Sequence, residues 1–429
     1  MKIVSVKGMR DLLPADTVWF QRLEDEARAT FAAYNFQEIR TPIVEPTELF
    51  TRSVGEETDI VGKEMYTFAD RDGASLTLRP EATASVARAY VEHRLWERPG
   101  LCKLYYMGPM FRRERPQKGR YRQFYQIGAE VLGGNSPVVD FELLAMLRLL
   151  LERCGIQDAE LVINSVGCAD DRPAYHAALR EALGARLPEM CADCQRRAQT
   201  NPLRVLDCKV PADQPIIAAL PTLESFLDDK CRLHFAQLRQ LLDANGISYR
   251  VDPRLVRGLD YYTSTAFEFQ HGALGAQNAL LGGGRYDGLT QALGAPAQAG
   301  GGIGFALGAD RFVLAMQAAQ ALSAALTAPA AVIIPLSAGE LQPALALAER
   351  LRRSGIRIEL AESGRKLSRS LELASKLQAG YAVIVGADEA ASGQWQLKDL
   401  SRGQQQHIDT EGLEARLKEV AAAAPAEVA

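Results

Sequence analysis

Apolar side chains recur at helical spacing between residues 16 and 34, at Val18, Trp19, Leu23, Ala27 and Phe31, and Asp16 stands at the N-cap position. The spacing predicts a long amphipathic helix. Residues 36–45 then read as a strand interrupted by Pro42, and proline in a strand belongs at an edge or a bend. Short strands over 65–68 and 75–79 are joined by the turn Asp70-Arg71-Asp72-Gly73. Pro80 can start a helix over 81–90, and a second amphipathic helix is predicted over 139–154. Between these helices, residues 105–130 read as strand, charged loop, strand. The first strand ends on Phe111-Arg112, the loop carries Arg113, Glu114, Arg115, Lys118 and Arg120, and the second strand, near 123–131, alternates polar with apolar positions.

The pattern changes after the strand-like run at 161–164. Residues 169–251 are rich in helical spacing and punctuated by Pro188, Pro202, Pro211, Pro215 and Pro221, as an inserted helical module would be. Strand-like runs resume at 249–252 and 266–269. Glycine-rich stretches follow at 281–288 and 300–311, the second leading into an apolar helix to about residue 325. Ala-rich residues 321–328 read as a linker. Strand (332–334), helix (341–353), strand (356–360), helix (368–379) and strand (382–385) then predict a separate α/β unit, and residues 421–429 are expected to fray.

Bulk properties narrow the function classes. A length of 429 residues suits about two or three domains. A formal net charge of −4 argues against a protein that coats nucleic acid, and leaves room for a local basic face. No run approaches the roughly 18 apolar residues of a membrane span, and the N-terminus lacks the apolar core of a signal peptide. A cytoplasmic protein without membrane association is expected. Seven cysteines, an odd number, fit reduced thiols. Cys191 and Cys194 form a CxxC with Cys208 following, but no second CxxC or nearby HxxxH completes a ligand set, so no metal site and no structural zinc is expected. The five histidines are scattered and include no HExxH, which gives no support to a metalloenzyme or a Ser-His-Asp hydrolase.

Four segments carry chemistry. The arginine-rich hairpin offers planar forks of donors that match phosphate oxygens, although a charge cluster alone more often marks a solvated tip. In Thr77-Leu-Arg-Pro-Glu-Ala-Thr83, a carboxylate and a hydroxyl two residues apart at a strand-to-helix junction suit an ammonium group. In Leu255-Val-Arg-Gly-Leu-Asp-Tyr-Tyr-Thr263, an arginine, an aspartate and paired tyrosines surround one glycine. The fourth is the glycine-rich passage ending at Arg311, where backbone can pack closely against backbone or ligand. Each is weak alone; their joint presence in this order is a strong signal.

Together the segments closely resemble the histidyl-tRNA synthetase family, bacterial type, among the class II aminoacyl-tRNA synthetases, over nearly the whole chain. Arg40-Thr-Pro42 falls at the family's dimer-interface motif, Phe111-Arg112 through Arg115 to Glu130 matches the second class motif, and residues 302–311 match the third. Leu255-Val-Arg-Gly-Leu-Asp-Tyr-Tyr262 resembles the histidine-specific signature, and Thr200-Asn-Pro-Leu-Arg-Val-Leu-Asp-Cys-Lys209 also looks like this family. The resemblance implies an α+β fold. A class II catalytic domain (1–168 and 252–325) would hold an antiparallel sheet flanked by helices, interrupted by a helical insertion domain (169–251) and followed by an α/β anticodon-binding domain (330–429). It implies a homodimer that joins histidine to ATP, releasing pyrophosphate, and passes histidine to the 3′ end of its tRNA. ATP would come with Mg2+, and no organic cofactor is implied.

The resemblance also implies residue roles. Arg112 would meet the α-phosphate. Arg257 would reach the same phosphate and the histidine carboxylate, and Arg311 the adenine or the outer phosphates. Glu81, Thr83 and Gln126 would hold the α-amino group. Glu130 and the Tyr262 hydroxyl would read the two imidazole nitrogens, with Tyr261 and Tyr286 as walls. Unpaired polar groups around a wrong substrate reject it by roughly 10⁴–10⁵, so no editing domain is expected. Arg115, Gln117, Lys118 and Arg120 would approach the tRNA acceptor end. The basic excess from Arg350 to Lys376 (Arg350, Arg352, Arg353, Arg357, Arg365, Lys366, Arg369 and Lys376) would meet RNA phosphates. Two positions depart from the family pattern. Ala82 stands for a usual glycine, where ordinary backbone is expected, and Asp310 stands where Glu is common, with a rearranged supporting bond. The alternatives are a non-catalytic paralogue (the regulatory subunit of ATP phosphoribosyltransferase) and a class II synthetase for another amino acid.

Overall fold

The computed structural model describes residues 3–55, 58–274, 278–319 and 328–423. The chain divides into two compact units, Met1–Gln320 and Ala321–Ala429. The first is built on an eight-stranded sheet. Its strands run in the order Gln37–Glu38, Cys102–Phe111, Gln123–Leu132, Gly302–Gly308, Ala279–Arg285, Thr263–Gln270, Glu160–Ser165 and Arg250–Val251. The six central strands pair antiparallel and the two short edge strands pair parallel. This is the expected α+β class.

Strand periodicity decides which face carries chemistry. Along Gln123–Leu132 the apolar Ile127, Ala129 and Val131 alternate with Gln126, Gly128 and Glu130. Phe305 lies opposite Ala129, and Phe31 of helix Pro14–Ala33 packs on Phe305 (6.3 Å) and Tyr105 (4.7 Å). That helix therefore covers the apolar face. Gln126 and Glu130 point to the other face, opposite Gly308 and Gly304.

One buried ion pair joins the sheet to its helices. Asp140, 0% exposed on helix Pro137–Arg153, accepts Arg285 Nε–H (3.1 Å) and the Thr265 hydroxyl (2.6 Å) and contacts His234 Nε2 (2.8 Å). Arg285, 1% exposed, also donates to Gly134 O (2.7 Å). Burial disfavours the Asp140 charge, but His234 and Arg285 hold its pKa below the ordinary value.

Several boundaries differ from the sequence expectation. The first helix is capped at Leu13 with Pro14 at its first position, and Asp16 sits inside the first turn; the fixed φ of proline sets the start. The strand expected over 36–45 is two. Gln37–Glu38 joins the large sheet, and Val44–Pro46 pairs with Ser75–Leu78 in a three-stranded sheet completed by Tyr66–Ala69, with Pro42 in the break. The helix expected over 81–90 is Thr83–Glu92, because Glu81 uses its carboxylate to accept the Thr83 and Ala84 N–H groups (2.7 and 2.9 Å).

Residues 169–251 are helix-rich as expected. Helices Arg172–Leu183, Ala192–Thr200 and Asp229–Ala244 and several 3-10 turns share an apolar cluster with Tyr262 and Ala266. The CxxC of Cys191 and Cys194, for which the sequence offered Cys208 but no completed set of four ligands, is met here by Cys208 and Asp213. Long-range folding supplied partners that spacing alone did not reveal.

The second unit has a five-stranded sheet in the order Ile358–Leu360, Ala331–Pro335, Tyr381–Val385, Trp395–Asp399, Gln405–Ile408. Its parallel half matches the expected alternation. Helix Leu341–Arg353 has the expected bounds, and the expected 368–379 helix is Leu367–Lys376, followed by Gln378 at φ +54°. The antiparallel pair Trp395–Asp399 and Gln405–Ile408 and the helix Thr410–Ala423 were not expected, since a polar edge strand carries no alternating signal. Lys376, Arg365 and Arg350 of the basic stretch pair with Glu372, Glu362 and Glu414. The helix expected to continue to 325 is Ala309–Ala318, with Ala319 as its C-cap, and residues 421–423, expected to fray, complete helix Thr410–Ala423; residues 320–327, with most of the expected linker, and 424–429 lie outside the described residues. Among the described residues no helix is long and apolar enough to cross a membrane.

Arg285→Met strands the Asp140 carboxylate in the interior. Removing one member of such a pair costs about 3–5 kcal/mol. Equilibrium urea unfolding should show a loss of that order; a loss within experimental error would mean that the pair does not anchor the sheet.

Candidate active site

Glu130 lies at the floor of the site and is 1% exposed. Its Oε1 accepts the Thr83 hydroxyl (2.7 Å) and its Oε2 the Tyr286 hydroxyl (2.6 Å). Loss of water pushes its pKa up to about 8, against the opposing effect of these two bonds. The side chain fits only because its neighbour across the ladder is glycine: a Cβ on Gly304 would overlap Glu130 Oε2. Tyr286 is fully buried, so it supports Glu130 from below in addition to bounding the site. Tyr261 is half-buried between Tyr262 (4.7 Å) and Tyr286 (5.8 Å, edge-on).

Glu81 lies on the same side of the floor. Burial raises its pKa despite the two backbone N–H groups it accepts. Ala82 has φ −114°, ordinary backbone as expected. Gln126 is buried, and its Oε1 has no hydrogen-bond partner among the described residues. An orphaned buried acceptor at a cleft wall is matched to a donor from outside.

Arg112, Arg257 and Arg311, from three separate segments, line one cleft of about 240 Å³ together with Gln126, Arg120 and Phe124. Arg112 Nε donates to Pro80 O (2.9 Å), and its guanidinium lies 5.4 Å from the Phe124 ring centre. Arg257 pairs with Glu268, faces the Tyr262 ring at 6.0 Å, and keeps an Nε without a partner among the described residues. A Cβ on Gly282 would meet its guanidinium at 2.5 Å, so the bare strand is what lets Arg257 lie across the sheet. Arg311 donates to Ala279 O (3.1 Å). Three guanidinium groups converging on one opening constitute an anion-binding surface.

The loop residues divide. Arg115, Gln117 and Lys118 are exposed at the tip, whereas Arg120 is half-buried, pairs with Glu114 (3.3 Å) and lines the cleft. Asp310 accepts Arg10 (2.9 Å) and the Tyr125 N–H (3.3 Å), a support assembled from the N-terminal segment. The sequence reading missed Arg10, Glu64 and Glu268. Glu64 is buried enough that its pKa rises, and its backbone carbonyl accepts the Arg113 N–H (2.7 Å). Glu268 had a signal: it lies between Phe267 and Phe269, so alternation puts it on the face opposite their buried rings.

Residues 8–312 match the protein family described as Histidyl-tRNA synthetase, and residues 330–420 match the Anticodon binding domain. A protein of Solibacter usitatus named histidine–tRNA ligase is 55% identical over 97% of this chain and 99% of its own length. One of Koribacter versatilis with the same name is 54% identical over 95% of this chain and 94% of its own. The crystal structure of apo histidyl-tRNA synthetase from S. aureus superimposes with a TM-score of 0.80 at 35% identity, covering 97% of this chain and all of that one. On this evidence of sequence and fold, the chain belongs to the histidyl-tRNA synthetase family.

Proposed function

We infer that the cleft activates histidine with ATP and that the chain then passes the histidyl group to the 3′ end of its tRNA. The chain is a histidine–tRNA ligase, as are its near-full-length relatives by name. A carboxylate oxygen of histidine attacks the α-phosphorus of ATP. The bond to the β-phosphate oxygen breaks, and pyrophosphate leaves. This chemistry needs positioning and neutralised oxygens more than a proton-transfer group. Convergence of Arg112, Arg257 and Arg311 on one cleft is the observation that supports this division of labour. Arg112 and Arg257 take the α-phosphate, Arg257 also takes the histidine carboxylate, and Arg311 takes the adenine side and outer phosphates.

Glu81, Thr83 and the orphaned Gln126 oxygen hold the α-ammonium. Glu130 and Tyr262 read the imidazole between Tyr261 and Tyr286. Mg2+ travels on the phosphates: the cleft carboxylates Glu114 and Asp310 are already paired with Arg120 and Arg10, which fits an ion held mainly by phosphate oxygens and water. We assign the catalytic domain to 1–168 and 252–325, a helical insertion to 169–251 and the anticodon-binding domain to 330–429. Arg115, Gln117, Lys118 and Arg120 meet the tRNA acceptor end. The chain works as a cytoplasmic homodimer; exposed Val44 and Phe68 on the small sheet, with Ile43 just before it, suit a subunit contact.

ATP–pyrophosphate exchange measured with each amino acid in turn should proceed with histidine alone. Exchange with a different amino acid would support the synthetase alternative, and none at all the regulatory paralogue. Arg257→Ala should lower histidine-dependent exchange by roughly 10²–10³, while calorimetry still detects histidine binding. Unchanged exchange would remove Arg257 from the reaction.

A further inference from the structure

Cys191, Cys194, Cys208 and Asp213 meet inside the helical module, away from the arginine-lined cleft. Their three Sγ atoms and one carboxylate oxygen all lie within 4.8 Å of one another. Cys191 Sγ and Cys208 Sγ are 3.9 Å apart, and Cys208 Sγ is 3.2 Å from Asp213 Oδ2. On a tetrahedral zinc ion with Zn–S near 2.3 Å and Zn–O near 2.0 Å, the corresponding edges are about 3.8 and 3.5 Å. The four groups therefore already stand close to the corners of such a site. The 3.9 Å contact is not a disulfide, because all the cysteines are free thiols.

The surroundings point the same way. Asp213 is 1% exposed, and Cys194 and Cys208 are buried. Asp213 accepts the Cys191 N–H (3.1 Å) and the Cys208 thiol, and no cationic side chain pairs with it among the described residues. A carboxylate withdrawn from water without a counter-charge is costly, and a bound cation removes that cost. The Val210 N–H points at Cys208 Sγ (3.4 Å), a bond to sulfur of the kind that supports a thiolate ligand. Nearby Cys168, Asp171, Asp228 and Cys231 also cluster, but Asp228 is exposed to solvent, and both carboxylates there serve a helix start and its loop. Asp171 accepts the Cys168 and Asp228 N–H groups (2.9 and 2.8 Å), and Asp228 caps helix Asp229–Ala244 at Cys231 N (2.6 Å). That second cluster reads as a capping network.

We propose that Cys191, Cys194, Cys208 and Asp213 bind one zinc(II) ion in a closed, structural site. Four protein ligands leave no open position for chemistry. The ion ties helix Ala192–Thr200 to the turn Pro202–Asp207. Between and within these elements, Asn201 donates to Asp260 (2.9 Å) and Arg204 to Gly258 O (2.7 Å). Both acceptors lie just after Arg257 in the same loop, so the ion braces the back of that loop.

The test is elemental analysis of the full chain, produced with zinc and purified without chelator. The site predicts about one zinc per chain, lost at least tenfold in Cys194→Ser and kept in Cys231→Ser. Replacing zinc with cobalt(II) should give the d–d bands of a tetrahedral thiolate site in the unsubstituted chain. If Cys194→Ser fails to fold, thiol titration of the unsubstituted chain decides: three thiols should become reactive as zinc is released to a chromogenic chelator. A metal-free chain, a disulfide between Cys191 and Cys208, or zinc retained by a folded Cys194→Ser would overturn the proposal.

Discussion

Glu130 is a carboxylate held out of water, and much of the site exists to keep it there. An isolated buried carboxylate is expensive, so its two oxygens are met by the Thr83 and Tyr286 hydroxyls. Each donor comes from a different part of the chain. Thr83 is placed by the helix that Glu81 starts, and Tyr286 by the end of the strand whose Arg285 is locked to Asp140. Gly304 clears the space for the carboxylate itself. The glycine-rich strands are thus a floor shaped for charged side chains.

The same floor serves the arginines. Arg257 crosses Gly282 and is steadied by Glu268, which lies opposite Gly282 in the next strand. Arg112 donates to Pro80 O and Arg311 to Ala279 O, backbone contacts that help to orient each guanidinium along the cleft. A polyphosphate would find fixed positive charge there without rebuilding the site, the condition under which electrostatic stabilisation is strongest.

Local chemistry was legible in the sequence wherever a short segment supplies it. The hairpin, the Glu81–Thr83 junction, the Arg257 signature and helix Leu341–Arg353 can each be read from spacing or resemblance. What was not legible depends on distant partners. Nothing local shows that Arg10 supports Asp310, 300 residues away, or that Asp213 joins Cys208 beside the CxxC. The polar edge strand Gln405–Ile408 was missed because three of its four side chains are exposed polar groups and only Ile408 packs on the core. The start of the Thr83 helix shifted because a side chain, Glu81, took the capping role that backbone patterns assign by position.

On the function proposed, Glu130 gives up hydration in the free chain in order to read histidine. Its pKa rises from 4.5 to about 8 on folding, so between those values the folded chain binds a proton that the unfolded chain has released. Stability from this group therefore falls as pH rises through that interval, and the loss is complete above about 8. The direct measurement is equilibrium unfolding of the unsubstituted chain and Glu130→Gln across that interval, each with and without saturating histidine. The variant should gain stability relative to the parent as pH rises, and histidine should stabilise the parent but hardly the variant. A stability difference that stays flat with pH, together with equal stabilisation of both by histidine, would contradict it.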